Sequence, residues 1–151
     1  MGVSPGELER YLHEQIPLTR AMAVSVVAAS TDAVVMEAPL APNINHRDTV
    51  FGGSASAVAI VTAWSLVHLR LIGLGLPSRV VIQRNTMEYL RPIAGTFQAR
   101  ALLGDANWDT FVRMLTRKGR SRITVGAELL YEQQIAARLS ADFVAFANER
   151  P

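Results

Sequence analysis

Apolar and polar residues along this chain fall into short periodic blocks, each closed by turn residues. Leu8, Tyr11, Leu12 and Ile16 share one face at helical spacing, behind Ser4 as cap, Pro5 at the first position and Glu7 three residues after the cap. That pattern predicts a helix that Pro17 closes. Two Val-rich runs, 21–29 and 33–40, parted by Ser30, Thr31 and Asp32, predict a strand hairpin. The stretch from Val50 to Leu69 then holds no charged residue, a length at which a membrane span has to be weighed. Ser54, Ser56, Thr62, Ser65 and His68 interrupt it, and no second such stretch accompanies it. A helix apolar on all sides also suits the centre of a water-soluble domain, and that is the expectation: a buried central helix and no membrane.

After Gly73-Leu-Gly75-Leu-Pro77 comes a long strand over 79–89, a turn over 91–95, and a strand over 96–103 with Phe97, Ala99, Ala101 and Leu103 on one face. Asp105 or Asn107 can cap the next block, where Trp108, Phe111, Val112 and Leu115 repeat at helical spacing up to Gly119. A short helix is predicted there, with a strand over 110–116 as the alternative. Ile123, Val125, Ala127 and Leu129 alternate with polar residues and Gly126, and a turn over 132–134 leads to a last strand over 136–147. Helix, hairpin, long helix and then mostly strand give an α+β domain in two layers, an antiparallel sheet wrapped around one helix. At 151 residues and 50% hydrophobic content, one domain spanning 1–151 is expected.

Charge adds little. The formal net charge is +2, and the basic residues are dispersed except for Arg117, Lys118, Arg120 and Arg122. This is not the dense basic face of a nucleic-acid binder, though it is compatible with a small anionic ligand. The absence of Cys removes disulfides and thiolate chemistry, and three scattered His give no support for a metal site. Residues 1–12 lack the pattern of a secretory signal, which predicts a cytoplasmic protein.

The order of elements, with T-V-F-G-G-S at 49–54 opening the central helix and Y-L-R-P-I-A-G-T at 89–96 between strands, resembles the hotdog-fold acyl-CoA thioesterases. H-E-Q-I-P-L at 13–18, and A-W at 63 and 64 after G-G-S, resemble more narrowly the thioesterase domain found at the C-terminus of some bacterial acetyltransferase-like proteins. The resemblance covers roughly residues 5–147. It implies a homodimer paired sheet edge to sheet edge, which could stack into a tetramer, with acyl-CoA or acyl-carrier thioester sites at the interface. No cofactor is implied beyond the coenzyme A that the substrate carries. Thr49, Phe51, Gly52, Gly53 and Ser54 occupy positions that line such a site in relatives. The physics agrees, because a helix start gathers unpaired N–H groups and the positive end of the dipole, which suits an oxygen gaining negative charge as a thioester is attacked.

One departure stands out. Many relatives carry a carboxylate one or two turns into the central helix, or a His just before the two glycines, whereas here the helix offers Ala57, Val58, Ala59, Ile60 and Val61, and Phe51 precedes the glycines. The expected substitutes lie in the preceding loop: His46 or Asp48 as general base or water-positioning group, and Asn45 holding the thioester or the water, with Asn43 beside them. Trp64 and Met87 are expected to border the acyl chain, and Glu88 is an alternative carboxylate. Each also has a structural reading: turn-stabilising Asn43 and Asn45, a helix-start role for Asp48, a solvated His46, a core Trp64 and an outward Glu88. The Arg117–Arg122 cluster could hold coenzyme A phosphates or be a solvated helix end. Thioester hydrolysis is the leading reading. A non-catalytic acyl-CoA binding module is compatible with the carboxylate-free helix, and a hotdog dehydratase is weaker because Phe51 stands where its His is expected.

Overall fold

The computed structural model describes residues 2–104 and 106–148; Asp105, one of the two expected caps, lies outside them. The first helix, α1 (Pro5–Gln15), starts as the sequence requires: the Ser4 side chain accepts from the Glu7 N–H and the Glu7 side chain accepts from the Ser4 N–H. Pro17 does not simply end the helical path. It opens a second, five-residue helix, α2 (Pro17–Ala21), because proline's fixed φ suits a first helical turn as well as it blocks continuation. The chain then reverses through Ala23, at φ 56°, so the expected strand from 21 starts only at Ser25.

Strands β1 (Ser25–Ala29) and β2 (Ala33–Ala38) form the expected hairpin. A 3-10 turn over Ala41–Asn43 leads to the long helix α3 (Gly52–Gly73). Strands β3 (Ser78–Tyr89) and β4 (Phe97–Leu102) follow, then α4 (Trp108–Lys118), β5 (Arg120–Tyr131) and β6 (Gln134–Ala147). The 108–118 block is a helix, capped by the Asn107 side chain and stopped by Gly119 at φ 72°. Leu103 falls just past the end of β4 and is half-buried. The six strands are antiparallel in the order β1-β2-β4-β5-β6-β3. This is the hotdog fold, with α3 as the filling.

Small residues on both sides explain the close fit. α3 buries Ala55, Val58, Ala59, Ala63, Leu66 and Val67, and the sheet meets it with Phe97, Ala99, Ala101, Ala127, Ala141 and Phe143. The buried Thr62 and Ser65 hydroxyls donate to the carbonyls four residues back, at 2.7 Å each, so no unpaired hydroxyl disturbs the core. By length and composition α3 could cross a membrane, yet 61% of its most apolar window is buried inside the domain. It is the core helix of this fold.

The two sheet edges differ. β1 is five residues long and bulged between Val26 and Ala28, whereas β3 runs for twelve residues with nearly every side chain exposed or half-buried.

Candidate active site

The loop before α3 is built around two asparagines. Asn43 is 1% exposed. Its side-chain amide donates to the Met22 carbonyl at 3.0 Å and the Pro39 carbonyl at 2.8 Å, and its own carbonyl accepts from the Phe51 N–H at 2.8 Å. With the Val50 N–H donating to the Ile93 carbonyl, these bonds fix where the helix begins. Asn43 therefore shapes the site from behind and turns no donor toward a ligand.

Asn45 was expected to hold thioester or water, and the structure gives its side chain to the loop instead. Its Oδ1 accepts from the Arg47 and Thr49 N–H groups at 2.8 and 3.1 Å, and its Nδ2 donates to the Thr49 hydroxyl at 2.9 Å. This is the self-bonding that Asn favours in turns. It closes a small hairpin based on an Ile44–Val50 bridge. His46, Arg47 and Asp48 form the exposed tip, with Asp48 at φ 63°, a left-handed position that a short polar side chain tolerates. The His46 and Asp48 side chains make no hydrogen bond within the described residues, so both are free to act on a ligand.

At Phe51 the backbone turns into α3 with no side-chain cap and no acid in the first turn. The N–H groups of Gly52, Gly53 and Ser54 lie ahead of the first intrahelical bond, from Ala55 to the Phe51 carbonyl. Gly53 is exposed, and the Phe51 ring, itself 57% exposed, lies against it: a Cβ at Gly53 would come within 2.4 Å of the ring. Thr49 and Ser54 flank this opening, both half-buried.

A bulge decides what the neighbouring strand presents. Val80 and Ile82 pair with buried Ala145 and Phe143, on the helix side; Gln83 is then an extra residue, and the parity switches. Asn85, Met87 and Tyr89 pair with buried Ala141, Leu139 and Ala137, while Arg84, Thr86 and Glu88 pair with Asp142, Ser140 and Arg138 on the outer face. Met87 thus faces the helix as expected. Glu88 does not: it is exposed beside Arg138, on the side of the sheet away from α3.

Tyr89 is a site residue that sequence reasoning passed over. Its hydroxyl donates to the Gly52 carbonyl at 3.1 Å, at the helix opening. Asn85 joins it on the helix-facing side of β3. Both follow from period-two spacing around Met87, so the signal was present. Trp64 sits three turns along α3, half-buried, with its indole N–H donating to the Val80 carbonyl at 2.8 Å, the partner its burial called for. Its ring stacks on His68 at 4.7 Å, and His68 stacks on Tyr11 at 5.1 Å. Burial between the two rings lowers the His68 pKa from 6.5, which keeps the imidazole neutral at pH 7.

The basic cluster resolves into separate structural roles. Arg117 and Lys118 end α4, where cations complement the helix dipole; Arg120 lies 5.7 Å from the Phe146 ring centre, and Arg122 bonds Gln83. Among the described residues, no three His, Asp or Glu side chains come together as metal ligands would. The chemistry that this arrangement can perform is stabilisation of a developing oxyanion at an open helix start, next to a loop bearing an unengaged imidazole and carboxylate.

Comparison with known proteins agrees. Residues 6–147 match the family described as "Putative thioesterase (yiiD_Cterm)". Among solved structures, a protein of unknown function from Chlorobaculum tepidum superposes with TM-score 0.87 at 22% identity, covering 97% of this chain and 99% of that one. A "putative thioesterase" from Shewanella oneidensis superposes with TM-score 0.85 at 23% identity, covering 94% and 96%. Thioesterase HI1161 from Haemophilus influenzae follows at TM-score 0.73 and 14% identity, covering 97% and 93%. At such identities these structures establish the fold, and the family match carries the assignment further: the chain belongs to this thioesterase family and is a thioester hydrolase by class.

Proposed function

We propose that the protein hydrolyses acyl-CoA or acyl-carrier thioesters to free acid and thiol at the opening of α3. The observation that carries this reading is the uncapped, glycine-lined helix start, three N–H donors with no acidic side chain to neutralise them. The thioester oxygen lies against the Gly53 and Ser54 N–H groups. His46 or Asp48 takes a proton from a water that attacks the carbonyl carbon. The tetrahedral intermediate collapses, its oxyanion re-forms the carbonyl, and the C–S bond breaks as the thiolate leaves and takes up a proton. Coenzyme A or the carrier is part of the substrate, and no separate cofactor enters.

Free-thiol release from a panel of acyl-CoAs, with wild type beside His46→Ala and Asp48→Asn, tests the assignment. One variant should lose at least about 100-fold in kcat/KM, the lower end of what a positioned base contributes. Undiminished rates in the double variant would remove the loop from the mechanism. The absence of any Asp or Glu from α3 supports a second reading, a silent acyl-thioester binding module; binding without thiol release would favour it.

The working unit in this proposal is a homodimer paired through β3. Its support is the coincidence, on one side of the molecule, of a long bare strand edge and a half-open stripe of α3 containing Ser56, Ile60 and Trp64. Sedimentation should give twice the chain mass. The double variant Val81→Lys/Thr86→Lys, which charges the edge, should sediment as a monomer and lose turnover with it; a monomeric wild type would overturn the pairing.

A further inference from the structure

The phenol of Tyr89 meets the opening of α3 from behind its donors. The hydroxyl donates to the Gly52 carbonyl at 3.1 Å, and the ring passes 3.6 Å from where a Cβ on Gly52 would stand, ordinary contact distance. The backbone carrying it is anchored. Tyr89 pairs with Ala137 at the end of the β3–β6 ladder, and the Leu90 and Arg91 N–H groups both donate to the Ala136 carbonyl, at 2.8 and 3.1 Å. The ring thus reaches the helix from a fixed base.

What this hydrogen bond acts on follows from how a peptide is built. The Gly52 carbonyl and the Gly53 N–H are the two ends of one planar amide. In a helix the carbonyl points toward the C-terminus and the N–H toward the N-terminus, so the phenol holds this amide at one end and leaves the other free. The free end is one of the three N–H groups ahead of the first intrahelical bond, from Ala55 to the Phe51 carbonyl. A carbonyl oxygen has two lone pairs; the helix uses one, and Tyr89 takes the second. A second donor draws electron density onto the oxygen, strengthens the C–N double-bond character and leaves the nitrogen more positive, so the N–H becomes a stronger donor. The first turn carries no acidic side chain to oppose that polarisation.

We infer that Tyr89 is a positioning residue for thioester hydrolysis, holding and strengthening the Gly53 N–H as an oxyanion donor by bonding the far end of the same peptide. The inference rests on the proposal that the α3 opening holds the thioester oxygen. Its size is bounded by two quantities. One oxyanion donor contributes about 100- to 1000-fold to the rate, and a neighbour in a hydrogen-bond chain strengthens a bond by about 10–30%. Those fractions, taken on the logarithm of the rate, give a factor of roughly 2 to 8. The effect falls on kcat, because charge gathers on the oxygen only as the carbonyl is attacked. The ring is 57% exposed, so removing its hydroxyl leaves the fold intact and the rate change can be read by itself.

The experiment compares wild type with Tyr89→Phe and with a protein carrying a ring-fluorinated tyrosine at 89, a stronger donor of the same shape. Thiol release from hexanoyl-CoA near neutral pH gives kcat and KM. Infrared spectra of a bound ketone analogue of hexanoyl-CoA, with CH2 in place of sulfur and an isotope label at the carbonyl carbon, report the pull of the donors on that oxygen without turnover. Tyr89→Phe should lower kcat roughly 2- to 8-fold with KM changed by less than about twofold. The fluorinated protein should exceed wild type in kcat, and the carbonyl stretch of the bound analogue should fall in the order phenylalanine, tyrosine, fluorotyrosine. A structural tie alone would not follow donor strength. Unchanged kcat in Tyr89→Phe, a loss carried by KM, or a fluorinated protein no faster than wild type overturns the inference. A loss of about 100-fold or more also overturns it, because it would put the hydroxyl on the reacting atoms. A carbonyl stretch that ranks with the three side chains in a protein that releases no thiol leaves the inference standing and removes the hydrolase reading; thiol release indifferent to all three does the reverse.

Discussion

Gly53→Val is expected to lower kcat/KM for thioester hydrolysis by about 1000-fold while the protein stays folded. The two glycines at the helix start are not equivalent. A Cβ at Gly52 meets the Tyr89 ring at 3.6 Å, ordinary contact distance, so Gly52→Ala fits without rearrangement. A Cβ at Gly53 comes within 2.4 Å of Phe51, whose exposed ring has room to swing outward. Gly53 has no positive φ, so the backbone admits a valine, whose helix propensity is no worse than glycine's. The damage is local: the branched side chain and the displaced ring cover the N–H groups of Gly53 and Ser54. Losing one oxyanion donor typically costs about 100- to 1000-fold, and two are obstructed here. Thiol-release kinetics together with a thermal melt check this. Activity within tenfold of wild type, with the melting temperature unchanged, would show that the carbonyl oxygen does not bind at this turn.

Asn43→Ala is expected to destabilise the domain by about 3 kcal/mol. A buried hydrogen bond to the Met22 carbonyl and a half-buried one to the Pro39 carbonyl are lost, and both oxygens are left without their partner, the costly side of a broken bond. For a domain of this size the melting temperature should fall by about 6–12 °C. Asn43→Asp is expected to be worse at neutral pH, since it sets a carboxylate against the same two carbonyls. Melting curves should rank wild type above alanine and alanine above aspartate; an alanine variant within 2 °C of wild type would show that the loop is held elsewhere. Activity should fall in both variants, because the Asn43 side chain holds in place the loop whose backbone carbonyl accepts from the Phe51 N–H at the helix start.

Much of the fold was legible because its signals are local. The Ser4–Glu7 capping box, the Asn107 cap, the Gly119 stop and the alternation in β4 and β5 each depend on residues within a few positions of one another. The T-V-F-G-G-S segment placed the helix opening. What escaped depends on three-dimensional context. Pro17 reads as a stop from one side and as a helix start from the other, and the burial of Thr19 and Met22 goes with the second. The bulge at Gln83 reverses the facing set by Val80 and Ile82; the alternation around Met87 was legible without it, and Glu88 takes the outward one of its two readings. Asn45 carries the same side chain whether it bonds a ligand or its own loop, and the sequence leaves that choice open.

The unequal edges of the sheet also govern how association ends. Among the described residues, β3 alone offers a long row of unpaired backbone groups; the opposite border is a short strand with an irregular register. In the proposed dimer, a second copy that meets β3 with its own β3 would consume the long bare border of each molecule. The resulting continuous sheet terminates at both ends in β1, where a further copy finds too few regular positions to add. Growth into a fibre is thereby blocked by the lack of a matching end, so a protein with an uncovered strand can self-associate and still remain a closed particle at high concentration.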